Sequence, residues 1–127
     1  MINRNTIQRQ LVLSAARALP HPAAEEIYEK VAKDHPNISK GTVYRNLNLL
    51  VSQGELRKVS VPGGPDRFDY NLADHYHLQC VRCGGVFDVD MDYLNDIETR
   101  IGDTGGFVIH GHDIVFQGVC PKCNKKN

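Results

Sequence analysis

The chain has 127 residues, enough for one compact domain or two small ones sharing a core. Its 41% hydrophobic and 24% charged residues are ordinary for a soluble globular protein, and no apolar run approaches the roughly 18 residues of a membrane helix. The N-terminus, MINRNTIQRQ, lacks the apolar core of a secretory signal, so the expected location is cytoplasmic, with no membrane partner. The formal net charge of +0 conceals a split: residues 1–66 carry nine Lys/Arg against six Asp/Glu, and residues 67–127 carry six against nine. A basic front half points weakly to a polyanionic partner.

In chain order, Ile7, Leu11, Ala15 and Leu19 recur at four-residue steps, which predicts a helix over 6–19 with Thr6 as N-cap and Pro20 as its stop. A second helix is expected over 23–34, with Ala24, Ile27 and Val31 inward and Glu25 and Glu26 in the dipole-favoured first turn. HPN at 35–37 breaks it. Ser39 then caps a third helix that buries Val43, Leu47 and Leu50 and stops at Gly54. Its opposite face carries Lys40, Gly41, Tyr44, Arg45 and Asn48, with Thr42 near the N-terminus. A major groove admits such a helix, although an ordinary solvated face looks similar. ELRKVSVPGGPDRFDYN at 55–71 reads as strand, turn, strand. Three helices followed by a hairpin is the order of a winged helix-turn-helix, and Lys58 and Arg67 would then lie where a wing meets phosphates.

From residue 75 the texture changes. HYHLQC and VFDVD alternate as strands, 91–102 reads as a helix through Leu94, Ile97 and Ile101, and 107–120 supplies one or two further strands. The expectation is a small α/β unit with a mostly antiparallel sheet, too small to bury much surface alone and helped by metal and dimerisation. The expected fold class is α+β, with a winged helix-turn-helix unit over 1–71 and a small α/β unit over 72–127.

Cys80, Cys83, Cys120 and Cys123 form two C-x-x-C pairs. In a reducing compartment this pattern reads as a four-cysteine structural zinc site; redox motifs or unrelated buried thiols are the alternatives. His75 and His77 alternate on a strand and can converge on one face, whereas Cys80 has the opposite parity. An H-x-H with an aspartate could serve a metallohydrolase or a metal store. No nucleophile motif or substrate loop accompanies it, so an enzyme is not expected.

TIQR at 6–9, HPAAEEIY at 21–28, SKGTVYRNLNLL at 39–50, RFDYN at 67–71, DHYHLQCVRCGG at 74–85 and GVCPKC at 118–123 stand in an order that resembles the ferric-uptake-regulator (Fur) family of bacterial transcription regulators. The resemblance implies a DNA-binding domain over 1–71, a dimerisation and metal-binding domain over 72–127, and a homodimer on double-stranded operator DNA, with Lys40, Thr42, Tyr44, Arg45 and Lys58 as DNA contacts. It implies structural Zn(II) on the four cysteines and a regulatory site on His21, Asp69, His75, His77 and Asp88. Thiolates select zinc, and imidazoles with carboxylates suit Fe(II) or Mn(II). Aspartate at 69 and 88 resembles the peroxide-sensing (PerR-like) branch, in which bound Fe(II) leads to oxidation of histidine ligands, here His21 and His75, and DNA is released. The alternative is a reversible iron- or zinc-responsive repressor. Only five residues precede Thr6, so an extra N-terminal helix of many members is expected to be missing, and Ile7 replaces a common proline. Tyr76 and Val119 stand where a further metal site of many Fur proteins has an acid and a histidine, so that site is not expected, and His110 and His112 are assigned structural or surface roles.

Overall fold

Asn3, not Thr6, caps the first helix: its side chain accepts from the Thr6 amide at 2.8 Å and from the Thr6 hydroxyl at 3.0 Å. The computed structural model describes residues 3–125; residues 1, 2, 126 and 127, included in the expected domain spans, lie outside the described residues. The helix α1 runs Arg4–Ala18 and its C-cap Leu19 is extended, as a residue before proline prefers. Its buried stripe is Val12, Ala15 and Ala16, at i, i+3 and i+4, while Ile7 lies exposed. The four-step pattern read from Ile7 therefore marks a neighbouring face.

The helix α2 spans Ala24–Asp34. Ala23 has no capping side chain, and Glu26 compensates by accepting the Ala23 amide at 3.0 Å. The helix α3 spans Lys40–Ser52 behind Ser39, whose hydroxyl accepts from the Thr42 amide at 3.1 Å. Gly54, at φ +73°, supplies the left-handed residue that ends it. Val12 of α1, Ile27 of α2 and Val43, Leu47 and Leu50 of α3 interlock with Phe68 of the following hairpin. Truncating one of these to Ala costs about 2–5 kcal/mol.

The hairpin strands β1 (Arg57–Val59) and β2 (Arg67–Asp69) pair antiparallel with Arg57 opposite Asp69. The outer edge of β2 takes the turn before α2: the Phe68 amide donates to Pro22 O at 2.9 Å, and Ala23 bridges Arg67. That edge contact sets His21 beside the end of β2. This first compact unit covers Met1–Ala73.

The second unit, Asp74–Asn127, holds strands β3 (His77–Cys80), β4 (Val86–Asp88) and β5 (Val115–Gly118) in the order β4-β3-β5. β3 pairs antiparallel with β4 and parallel with β5. The expected mostly antiparallel sheet is thus mixed, because the long excursion over residues 89–114 returns the chain in the direction of β3. The helix expected over 91–102 shrinks to one 3-10 turn, Ile97–Arg100. Asp90, Asp92, Asn95 and Asp96 crowd its start, and such side chains compete for backbone groups. Of the residues 107–120, only Val115–Gly118 form a strand. Tyr76, Cys80 and Val86 are the buried apolar side chains of this unit, while Phe107 and Val108 are 76% and 79% exposed. Among the described residues no helix is long and apolar enough to cross a membrane.

Candidate metal centres and nucleic-acid interface

The turn after β3 is a tight knuckle that carries Cys80 and Cys83. The Gly84 amide donates to Cys80 O at 2.9 Å, with Gly84 at φ +77°. The parallel pairing of β3 and β5 then carries Cys120 and Cys123 to the same corner, and the four Sγ atoms lie within 4.8 Å of one another. A tetrahedral site with Zn–S of about 2.3 Å needs sulfurs roughly 3.8 Å apart. Cys83 Sγ and Cys120 Sγ are 3.9 Å apart, so the residues fit that ion. Backbone amides serve the sulfurs: Cys120 N and Cys83 N donate to Cys80 Sγ at 3.3 and 3.5 Å, and Gly85 N to Cys83 Sγ at 3.4 Å. The Cys120 amide, then that of Cys83, pulls the Cys80 thiol down to about 6. The Cys120 side chain, with burial, pushes Cys123 up to about 12. Cys80 is thus the thiol most readily deprotonated, and all four would have to lose their protons to hold a metal.

The imidazole and carboxylate donors fall into two pairings, one in each unit. In the first unit His21 Nε2 lies 3.3 Å from Asp69 Oδ2, both side chains nearly buried. Asp69 Oδ1 also accepts the Asn71 amide at 2.9 Å, which orients the carboxylate. His21 sits at φ +44°, a left-handed backbone that costs a non-glycine residue roughly 1–2 kcal/mol. Arg67 holds the turn in place, donating from Nη1 to His21 O at 3.2 Å and reaching Glu26 Oε1 at 3.3 Å. Arg67, expected where a wing meets phosphates, clamps the histidine turn in this structure. In the second unit β3 and β4 set His77 opposite Asp88. His75 Nε2 and His77 Nε2 lie 3.1 and 3.7 Å from Asp88 Oδ1, and the two rings are 4.5 Å apart. The alternation read from H-x-H does bring both imidazoles together.

On α3, Thr42 Oγ1 accepts from Ser39 Oγ at 2.9 Å and from Arg45 Nη2 at 3.2 Å, which draws the guanidinium toward the helix N-terminus. Tyr44 is exposed, and a cavity of about 350 Å³ separates it from Lys58 on the hairpin. Lys58 Nζ lies 4.0 Å from Asp66 Oδ2. Lys40 Nζ is 2.9 Å from Glu25 Oε1, a hydrogen bond that holds its ammonium above the ordinary lysine value.

The sequence profile described as the ferric uptake regulator family matches residues 2–117. The chain belongs to the ferric uptake regulator family. The peroxide-responsive repressor PerR of Staphylococcus aureus is 36% identical over 124 residues, 97% of this chain and 84% of that protein. Among solved structures, the Campylobacter jejuni peroxide stress regulator aligns with TM-score 0.75 and 30% identity over 94% of this chain and 91% of that one. The Helicobacter pylori ferric uptake regulator Fur aligns with TM-score 0.78 over 99% of this chain and 84% of that one, at 22% identity, a likeness of fold alone.

One cluster in this Fur-family chain escaped sequence reasoning. The buried Tyr76 hydroxyl lies 2.7 Å from His112 Nε2 and accepts the Leu94 amide at 2.9 Å. His112 Nδ1 in turn bonds Glu98, which holds that carboxyl below its ordinary value. Tyr93 stacks on both rings. Of the two histidines assigned structural or surface roles, His110 is exposed and His112 joins the network. No periodicity links Glu98 to His112, so no sequence signal could have found it.

Proposed function

We propose that this chain is a metal-responsive, DNA-binding transcriptional repressor of the cytoplasm, a homodimer that senses peroxide through oxidation of its own histidine ligands. The observation that carries the reading is the pairing of imidazole with aspartate in both units, His21 with Asp69 and His75 and His77 with Asp88, set apart from a cluster of four cysteines. Hard carboxylates with imidazoles suit Fe(II) or Mn(II), and four thiolates suit Zn(II). The thiolates of Cys80, Cys83, Cys120 and Cys123 hold a structural zinc. His21 and Asp69 from the first unit join His75, His77 and Asp88 from the second around one regulatory metal. Iron, when bound, would supply the redox chemistry that opens the O–O bond of peroxide, with the imidazole as the net reductant.

His21 and His75 each offer an imidazole C–H: the peroxide O–O bond breaks, one oxygen enters that C–H bond, the other leaves as water, and the oxidised ring is a poorer ligand. Because His21 belongs to one unit and His75 to the other, losing either weakens the tie between them. Ligation favours the DNA-competent arrangement only by its differential affinity for it. Lys40, Thr42, Tyr44, Arg45 and Lys58 contact the duplex, the two lysines at phosphates and Thr42, Tyr44 and Arg45 at base edges. A regulator rather than an enzyme follows from this division of labour. The test is duplex binding by the zinc-loaded protein, titrated with Mn(II). Sequence-selective binding that appears only with Mn(II) is expected. Equal binding with and without Mn(II) would rule out a regulatory metal.

A further inference from the structure

The carboxylate of Glu25 faces the third helix, and both of its oxygens are engaged by residues assigned to DNA. Oε1 takes the Lys40 ammonium at 2.9 Å, and Oε2 accepts from the Tyr44 hydroxyl at 3.4 Å. Lys40 and Tyr44 stand one turn apart on α3, so a single acid on α2 spans the presented face. The Lys40 ammonium also lies 5.5 Å from the Tyr28 ring centre, so its stem is drawn back over α2. A lysine on the hairpin has an acidic companion too, Lys58 with Asp66. The backbone cap of α2 is Glu26, which accepts the Ala23 amide.

We propose that Glu25 is a built-in counter-charge to the DNA-binding face, which a duplex must displace before Lys40 can reach a phosphate. The proposal rests on the DNA-binding reading above and adds an element that restrains it. A phosphate approaching Lys40 meets an anion already in place, and after displacement Glu25 stands close to the DNA backbone and cancels part of the lysine's charge. Each lysine that neutralises a phosphate contributes about 0.9 to the slope of log affinity against log salt. With Glu25 present, Lys40 contributes less than that. The pair is half-exposed, so its effect on affinity is of the size of surface ion pairs, roughly a two- to fivefold change.

The experiment compares the zinc- and Mn(II)-loaded parent with Glu25→Gln and with Glu29→Gln, which removes the same charge one turn further along α2. A random-sequence duplex and a duplex selected from a random pool by the parent are titrated over a salt series by fluorescence anisotropy. Glu25→Gln is expected to tighten both duplexes about two- to fivefold and to steepen the salt slope by up to about one. Glu29→Gln is expected to change the slope less. In a Lys40→Met background the gain from Glu25→Gln should shrink, since the group it restrained is gone. Unchanged or weaker binding by Glu25→Gln would overturn the proposal and make Glu25 a support for Lys40 and Tyr44. Equal effects of the two variants would reduce it to net charge and overturn it as well. A parent that binds no duplex under any metal condition would remove the DNA reading together with this one.

Discussion

His21 concentrates the chemistry of the first unit in one strained position. A histidine at φ +44° directly before a proline is held there by Arg67 on its carbonyl and by the Phe68 amide on Pro22 O. Such strain persists where surroundings over-determine it and often marks a site with a task. Asn tolerates the left-handed region better than His, so His21→Asn separates ligation from folding. We expect it to leave the thermal midpoint of the zinc protein unchanged or higher while weakening Mn(II) affinity by about tenfold or more, as read by calorimetry. A lower midpoint with unchanged Mn(II) affinity would assign His21 to structure. Sequence reasoning reached His21 only through the family landmark HPAAEEIY, because one histidine before a helix carries no signal of its own. Its backbone strain and the Arg67 clamp were invisible, since both depend on a residue 46 positions away.

At the level of elements, the first unit stands on its own helix core, whereas the second has few buried apolar side chains and a four-thiol corner joining β3 to β5. Zinc should therefore matter unequally. Removing it with a chelator under reducing conditions is expected to unfold the second unit while the first keeps its helical circular dichroism and amide protection. Retained protection of β3 and β5 in the zinc-free protein would contradict this. Acid should act on the same unit through Glu98. His112 holds the Glu98 carboxyl below its ordinary 4.5, so the carboxylate adds stability that is present above that value and lost as pH falls through the lowered one. Glu98→Gln is expected to flatten the acid limb of the unfolding curve below about pH 4.5. An unchanged limb would show that the pairing adds nothing. The helices, the hairpin and both C-x-x-C knuckles were legible because periodicity, caps and turn residues are local signals. The failed helix at 91–102 and the parallel β3–β5 pairing were not, because long-range contacts set them.

For the whole molecule, the second unit leaves Phe107 and Val108 largely bare, two large apolar side chains on a unit with little core of its own. A second copy of the chain is the occupant expected of the family. Phe107→Glu should shift the zinc protein toward monomer in sedimentation velocity and weaken operator binding with it, since a dimer sets the spacing of two recognition helices. An intact dimer in this variant would place the self-association surface elsewhere. The split of charge, basic over 1–66 and acidic over 67–127, matched the division into two compact units closely, yet it could not have said which lysines were masked by acids.

Peroxide sensing by the histidines themselves is tested most directly by mass. The zinc-loaded protein is filled anaerobically with Fe(II) or with Mn(II), exposed to micromolar peroxide, and measured for duplex binding and for intact and peptide masses. One added oxygen at His21 or His75, with loss of DNA binding in the Fe(II) sample and neither change in the Mn(II) sample, is the expected result. Duplex binding that survives peroxide in the Fe(II) sample, with both histidines unmodified, would contradict it and leave a reversible metal sensor.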